Sequence, residues 1–155
     1  MATLDLTSAP DTPLDILDSR HRRREGAIKQ LVELALSRGV IRDSRWALQA
    51  VMRRERIAST ASGKGIAVPN IRSISVVRPW FALSRSAKGM EWPGAEDGPV
   101  RLVLCVLSPA GLSIERHHSR IAQALHQVRL QKQRQWLLES DSVPELRAWM
   151  VEASA

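Results

Sequence analysis

The sequence has a single cysteine, Cys105, no tyrosine, and an aromatic content of only 4%. One cysteine excludes an internal disulfide framework and a cysteine-based metal cluster. No apolar run approaches the roughly 20 residues that span a bilayer, so we expect no membrane insertion. The first residues also lack the basic and apolar regions of a secretory signal, and the expectation is therefore a cytoplasmic protein.

What the chain does contain is typical of a globular domain. Its 155 residues are 44% hydrophobic and 25% charged, which suits one compact domain with a real core. The net charge is +7, mostly from arginine. This charge could serve an acidic partner or nucleic acid, or simply belong to a solvated surface. The one dense basic run, Arg20–Glu25, has no interleaved aromatic residues, so nucleic-acid binding is not expected.

The order of the patterns predicts an α/β domain. We expect a flexible N-terminal lead-in over residues 1–13, within a generally extended stretch to residue 20, and a domain over residues 14–155. Two helical patterns come first, and a strand-rich centre follows. There "GIAVP", "SISVVRPWFAL" and "PVRLVLCVLSP" are short apolar or β-branched runs. Helical patterns then return, the last with a capping box from Ser142 to Glu145. This order predicts helices layered on a mixed sheet.

One central stretch, "STASGKGIAVPN", has residues suited to an oxyanion. Small residues expose backbone N–H groups, and hydroxyls add further donors. Arg54 and Arg72 flank the stretch and could grip a phosphate. The spacing of a Walker P-loop is absent, and an ordinary turn remains the alternative. The candidate phosphate-binding residues of the loop are Ser59, Thr60, Gly63 and Gly65.

A wider pattern is more specific. "RERIASTASGKGIAVPN" resembles the signature of the type 2 enzyme IIA domain of the bacterial phosphoenolpyruvate-dependent phosphotransferase system. That is the fructose/mannitol class, which includes the nitrogen-regulatory enzyme IIA. Ala61 replaces a family glycine and Val68 is a conservative match. The residues that match in register are Arg54, Glu55, Ser59, Thr60, Gly63, Gly65, Ile66, Ala67 and Pro69. The resemblance implies a mixed, mainly parallel sheet flanked by helices on both sides, and no cofactor.

The resemblance also shows a departure at Asn70. In the family, a histidine follows the proline of the motif, accepts phosphate from the carrier protein HPr and passes it on. A carboxamide nitrogen has its lone pair delocalised into the carbonyl, so Asn70 cannot act as that nucleophile. Asn70 could still bind a phosphate through hydrogen bonds or fix a turn. The ordinary phosphorelay is therefore not expected to run through position 70.

Other site residues follow from the resemblance. Arg54 matches a family arginine near the phosphohistidine, and Arg72 lies where the family often has arginine. His117 matches the second family histidine, which lies beside the first and helps to hold the phosphoryl group. His118 replaces a usual leucine, and on a helix it points about 100° away from His117. Both histidines therefore cannot face one site equally.

Three functional hypotheses remain open. The chain could be a regulatory pseudo-phosphocarrier that binds an HPr-like phosphocarrier or a regulated target protein. It could instead transfer phosphate with His117 as the acceptor. It could also be a binding module for a phosphate-type anion or a nucleic acid. An asparagine introduced by design to trap an unphosphorylated state would look the same in the sequence. HPr presents a basic face, so a domain with a net charge of +7 is not an obvious electrostatic match.

Overall fold

A computed structural model describes residues 14–141 and 144–148. The predicted lead-in over residues 1–13 therefore lies outside the described residues, as does Ser142 of the predicted capping box. The strands are β1 (Leu14–Asp18), β2 (Ala61–Gly63), β3 (Ile66–Ala67), β4 (Asn70–Ser73), β5 (Trp80–Met90) and β6 (Val100–Pro109). The helices are α1 (Arg24–Ser37), α2 (Ser44–Ile57), α3 (Ile114–Gln127) and α4 (Gln131–Glu139), and residues 144–148 are helical as well.

The six strands form one mixed sheet. Its order is β1-β5-β6-β3-β2, and β4 also pairs with β6. Three pairings are parallel, β1 with β5 and both β3 and β4 with β6. The β5–β6 and β2–β3 pairings are antiparallel. The predicted mixed, mainly parallel sheet is confirmed. Both β3 and β4 pair with the same edge of β6, one after the other. Pairing with β6 therefore positions the backbone of residues 66–73.

Helices cover both faces of the sheet, as predicted. The side chains of β6 alternate, so Val103, Cys105 and Leu107 join the core cluster under α1 and α2. Leu102, Leu104 and Val106 join the cluster under α3 and α4. Apart from the exposed Arg101, the run from Val100 to Leu107 is buried, as its near-continuous apolar character predicts. Burial raises the pKa of the Cys105 thiol to about 12, which agrees with an inert core cysteine.

Several element boundaries differ from the sequence predictions. The expected extended lead-in contains β1, which pairs with β5 in the sheet. Within the run "SISVVRPWFAL", β4 ends at Ser73 and β5 begins at Trp80, which is where the notably apolar end of the run starts. β5 then extends to Met90, well beyond Leu83, where the apolar run ends. The first two helical patterns after the sheet form separate helices, since α3 ends at Gln127 and α4 begins at Gln131.

Side-chain caps fix the starts of α2 and α3. Asp43 caps α2 by accepting from the backbone N–H groups of Arg45 and Trp46, at 2.8 and 3.2 Å. Ser113 caps α3 by accepting from the N–H of Arg116 at 3.2 Å.

Within the described residues, no helix is both long and apolar enough to cross a membrane. The same part of the chain holds no group of three or more potential metal ligands.

Candidate functional site

Asn70 and His117 meet at the C-terminal end of the central strand. Asn70 is the first residue of β4 and pairs with Val106 of β6. β6 then leads through a short turn to α3, which carries His117 back over the sheet edge. Both side chains are almost fully enclosed, with exposed fractions of 5% for Asn70 and 3% for His117. The Nε2 atom of His117 lies 3.0 Å from Oδ1 of Asn70.

The hydrogen-bond direction between these two residues is determined by Val68. The Asn70 amide nitrogen donates to the Val68 carbonyl at 2.8 Å. A carbonyl can only accept, so the Asn70 amide group faces Val68 and its oxygen faces His117. That oxygen is also only an acceptor. The Nε2 atom of His117 must therefore carry the proton and donate it to Asn70.

The other ring nitrogen of His117 is engaged by Ser108, at the end of β6. Nδ1 lies 2.7 Å from the Ser108 hydroxyl oxygen. Arg120 donates to the same oxygen at 2.6 Å, and a guanidinium has no acceptor. The Ser108 hydroxyl thus accepts from Arg120 and donates to Nδ1. The result is one directed chain of hydrogen bonds from Arg120 through Ser108, His117 and Asn70 to the Val68 carbonyl.

The electrostatic surroundings keep His117 neutral. Burial lowers the pKa of its imidazole from 6.5 to about 4, with further lowering from Arg120, His118, Arg72 and Arg54. Within the described residues, every charged group that shifts this pKa is a cation when protonated. At neutral pH the ring therefore has one N–H, donated to Asn70, and one lone pair, which accepts from Ser108. His117 is a hydrogen-bond donor toward position 70, and its lone pair is occupied.

The predicted arginines lie near this chain and are held by backbone carbonyls. Arg54, in the last turn of α2, donates to the Ala58 carbonyl at 2.7 Å. Arg72 follows Asn70 by two residues on β4 and is exposed. It donates to the carbonyls of Leu112 and Ala110 at 2.5 and 3.1 Å. Each guanidinium has five N–H donors, so both keep donors for a further acceptor.

His118 is exposed whereas His117 is enclosed, so the two histidines do not face the site equally, as the helical geometry predicts. Its ring centroid lies 6.1 Å from that of His117. This separation leaves His117 as the histidine that contacts Asn70.

The hydroxyls of the Ser/Thr loop are used within the protein. Ser59 donates to the Pro93 carbonyl at 2.6 Å. Thr60 donates its hydroxyl to the Glu55 carboxylate and accepts from the N–H of Val68 at 3.1 Å. Glu55 is 1% exposed, and it also accepts from the Thr60 N–H at 2.8 Å. In this arrangement the loop residues connect α2 to β3.

The glycines of the loop lie at a distance from Asn70. Gly63 and Gly65 form the β2–β3 turn with positive φ angles of 84° and 77°, where glycine is favoured. Gly65 lies beside Leu102, whose N–H donates to its carbonyl at 3.0 Å, whereas Asn70 pairs with Val106. Four residues along β6 separate the two places by roughly 13 Å. The structure does not bring these glycines to the Asn70–His117 pair, and phosphate binding by them stays a prediction.

Two members of the site, Ser108 and Arg120, are absent from the sequence prediction. Arg120 follows His117 by three residues, which places both on one face of α3. Ser108 is the polar residue that ends the apolar run of β6. Both signals are visible in the sequence, but only the fold shows that they converge on one imidazole.

Comparisons with known proteins agree with this fold. The model of the family "Phosphoenolpyruvate-dependent sugar phosphotransferase system, EIIA 2" matches residues 15–145. The PTS system fructose-specific EIIA component of Haloferax volcanii is 34% identical over 147 residues, which cover 91% of this chain and 94% of that protein. The PTS system fructose-like EIIA component of Escherichia coli is 35% identical over 82 residues, which cover 53% of this chain and 55% of that protein.

Solved structures share the fold at low sequence identity. The nitrogen regulatory protein IIA-Ntr of Neisseria meningitidis superimposes with a TM-score of 0.81 at 20% identity, covering 93% of this chain and 99% of that one. Enzyme IIA mannitol of Escherichia coli, in its complex with phosphorylated enzyme IIB mannitol, superimposes with a TM-score of 0.76 at 20% identity. That match covers 89% of this chain and 94% of the other.

Proposed function

The chain belongs to the EIIA 2 family of the phosphoenolpyruvate-dependent sugar phosphotransferase system, and on this premise we propose that it is a regulatory pseudo-phosphocarrier. In this proposal Asn70 occupies the position of the family's acceptor histidine. The domain keeps the fold and the cationic surroundings of the site but accepts no phosphoryl group there. It would act by binding a protein partner in one fixed, unphosphorylated state.

The chemistry at position 70 supports the proposal. Phosphoryl transfer to a protein nitrogen needs a lone pair that can attack phosphorus. The Asn70 amide nitrogen has no such lone pair, and it donates its N–H to Val68 at 2.8 Å. Its 5% exposure leaves little of the group to reach from solvent.

One observation carries the proposal further, namely the directed hydrogen-bond chain through His117. The obvious substitute acceptor is His117. Its Nε2 atom donates a proton to the Asn70 oxygen, 3.0 Å away, and its Nδ1 lone pair accepts from the Ser108 hydroxyl, 2.7 Å away. Transfer to His117 would require breaking the Ser108 bond or moving the Nε2 proton. The alternative in which His117 is the acceptor is therefore less well supported than a site without a nucleophile.

A second candidate function, non-covalent binding of a phosphate-type anion, has its own support. The charged groups that act on His117 are all cationic when protonated. Arg54 and Arg72 are positioned by backbone carbonyls and retain free N–H donors. A phosphoryl group presented by a partner would find donors here without a nucleophile to receive it.

The partner proposed is an HPr-like phosphocarrier or a regulated target protein. A related structure, enzyme IIA mannitol, is described as a complex with phosphorylated enzyme IIB mannitol, so this fold can bind a phosphorylated protein. We propose that the surface around Asn70, Arg54 and Arg72 binds a partner protein in a similar way in this chain. The cytoplasmic location and the nitrogen-regulatory likeness stay predictions.

Transfer of labelled phosphate tests the proposal. The parent, Asn70→His and His117→Ala would each be incubated with labelled phosphoenolpyruvate, enzyme I and HPr. We expect no stable label on the parent or on His117→Ala. We expect label with the acid lability of a P–N bond on Asn70→His, because that change restores an imidazole in the cationic site.

Control variants separate the outcomes. His118→Ala alters an exposed neighbouring histidine and should behave as the parent does. Label on the parent that is lost in His117→Ala but kept in His118→Ala would overturn the proposal in favour of a displaced acceptor. If Asn70→His also takes no label, the HPr docking surface is absent and the HPr-like partner is excluded.

A further inference from the structure

The structure assigns a role to Arg120 that the proposed function does not use. We propose that Arg120, acting through the Ser108 hydroxyl, is a positioning residue that fixes His117 as a hydrogen-bond donor toward position 70. The identification of position 70 with an acceptor site rests on the proposed function. The hydrogen-bond direction does not depend on it.

Arg120 is held firmly at the start of the chain of hydrogen bonds. Its Nη1 atom donates to the Leu107 carbonyl at 2.7 Å and to the Ser108 hydroxyl at 2.6 Å. Its Nη2 atom donates to the Trp80 carbonyl at 3.0 Å. Two strands therefore anchor the guanidinium. Burial lowers its pKa to about 10, so it remains charged at neutral pH.

The charge and fixed position of Arg120 decide how the Ser108 hydroxyl points. A hydroxyl has one proton to donate and two lone pairs to accept with. Arg120 can only donate to it, which leaves the Ser108 proton free for Nδ1 of His117, 2.7 Å away. Without Arg120 the hydroxyl could rotate and accept a proton from Nδ1 instead. Arg120 thus selects the tautomer of His117 that has its proton on Nε2.

In this protein the direction of the hydrogen bonds through His117 is fixed at both ends. At one end Arg120 turns the Ser108 proton toward His117. At the other end the Val68 carbonyl fixes the Asn70 amide so that an oxygen faces Nε2. Arg120 is therefore redundant while Asn70 is present. It becomes decisive when position 70 has a side chain that can either donate or accept, such as histidine.

This arrangement has a consequence for any group held at position 70. With Arg120 in place, His117 offers an N–H to an acceptor there, such as a carboxamide oxygen or a phosphoryl oxygen. It does not offer a competing lone pair. Arg120 would thereby act on position 70 across two intervening side chains, without contacting it.

Nitrogen-15 spectra of histidine-labelled protein test this directly. The full chain would be prepared as the parent, Asn70→His, Asn70→His with Arg120→Met, and Asn70→His with Arg120→Lys. We expect only the Nε2–H form of His117 in the parent and in Asn70→His. With Arg120→Met added to Asn70→His, the ratio of Nδ1–H to Nε2–H should rise about fivefold or more, as expected for loss of one oriented hydrogen bond. Lysine at position 120 can still donate to Ser108 and should restore the Nε2–H form.

Matched variants separate positioning from a structural effect. Arg120→Met in the parent background should keep the Nε2–H form, because Asn70 still fixes it. Arg116→Met changes an exposed arginine of the same helix and should not alter the tautomer in the Asn70→His background. If Arg120→Met fails to fold, Ser108→Ala in the Asn70→His background is the substitute and should give the same mixture.

The inference is overturned if folded Asn70→His with Arg120→Met or Ser108→Ala keeps only the Nε2–H form. It is also overturned if Asn70→His alone shows the Nδ1–H form. These outcomes are independent of label transfer. A parent that takes phosphate contradicts the proposed function and leaves the role of Arg120 intact. An unchanged His117 tautomer in Asn70→His with Arg120→Met contradicts the role of Arg120 and leaves the proposed function intact.

Discussion

At the scale of the residue, His117 is buried among cations in a neutral form. Only 3% of it is exposed, and its pKa is lowered to about 4. An imidazole in water has a pKa of about 6.5 and titrates near neutral pH. The site therefore holds its histidine neutral through the whole physiological range, and both nitrogens are committed to named partners.

This lowered pKa predicts a loss of stability in mild acid. The folded-state value of about 4 lies below the ordinary value of 6.5, so the unfolded chain takes up a proton first as pH falls. Between pH 6.5 and 5 the free energy of unfolding should fall by about 1 to 2 kcal/mol from His117 alone. Urea unfolding at several pH values measures the change.

The matched comparison is His117→Asn, which does not titrate in this window. Any other group that titrates in this window changes the stability of both proteins alike, so the difference between the two profiles isolates His117. Profiles that run parallel from pH 7 to pH 5 would contradict a neutral, buried His117.

The sequence predicted that His117 and Asn70 are neighbours, but it did not predict the hydrogen bonds that join them to other residues. The resemblance placed the second histidine beside position 70, and the structure brings His117 and Asn70 within 3.0 Å. Ser108 and Arg120 were not predicted. Their contacts depend on how β6 and α3 pack together, and no short sequence motif encodes that packing.

At the scale of the element, Glu55 connects α2 to the loop that leads into the site. Its buried carboxylate accepts from the N–H and hydroxyl of Thr60 and from the indole N–H of Trp92 at 3.1 Å. Three donors converge on one acidic side chain. Thr60 in turn binds the N–H of Val68, the residue whose carbonyl orients Asn70.

Glu55→Gln should therefore destabilise the fold. The glutamine amide offers one acceptor oxygen where the carboxylate offers two, so one buried donor such as the Thr60 hydroxyl loses its acceptor, and a buried unsatisfied donor costs about 1 to 3 kcal/mol. Chemical denaturation measures this loss in the free energy of unfolding. Glu96→Gln, at an exposed position, is the control and should change stability by less than about 0.5 kcal/mol. Equal stability of the two variants would contradict the role assigned to Glu55.

The elements also show where sequence patterns succeed and fail. The helix α1 and the central strand β6 have apolar periodicity or continuity, and their burial follows it. In α2 the predicted apolar stripe is only partly right, because Ala47 and Val51 are buried whereas Trp46 is 66% exposed. β1 and β4 are short, at 5 and 4 residues, and they are strands because β5 and β6 offer backbone partners. A pattern of side chains does not report such partners, so the sequence did not predict a strand at Asn70.

At the scale of the whole molecule, the net charge of +7 does not predict nucleic-acid binding. The site arginines donate to backbone carbonyls, and the dense basic run Arg20–Glu25 has no interleaved aromatic residues. We expect no binding of a labelled 20-nucleotide single strand at physiological salt in fluorescence anisotropy. Binding of the labelled strand at physiological salt, with an affinity that falls steeply as the salt concentration rises, would show phosphate contacts and contradict this expectation.

The central claim is that neither the Asn70 amide nor the His117 ring has a nitrogen free to accept a phosphoryl group. The most direct measurement is a nitrogen-15 titration of His117 in the parent protein, with the two ring nitrogens assigned separately. We predict a proton on Nε2, a hydrogen-bonded lone pair on Nδ1, and no protonation of the ring until the pH approaches about 4. A ring that titrates near pH 6.5, or one that exchanges freely between tautomers, would contradict the account and restore His117 as a candidate nucleophile.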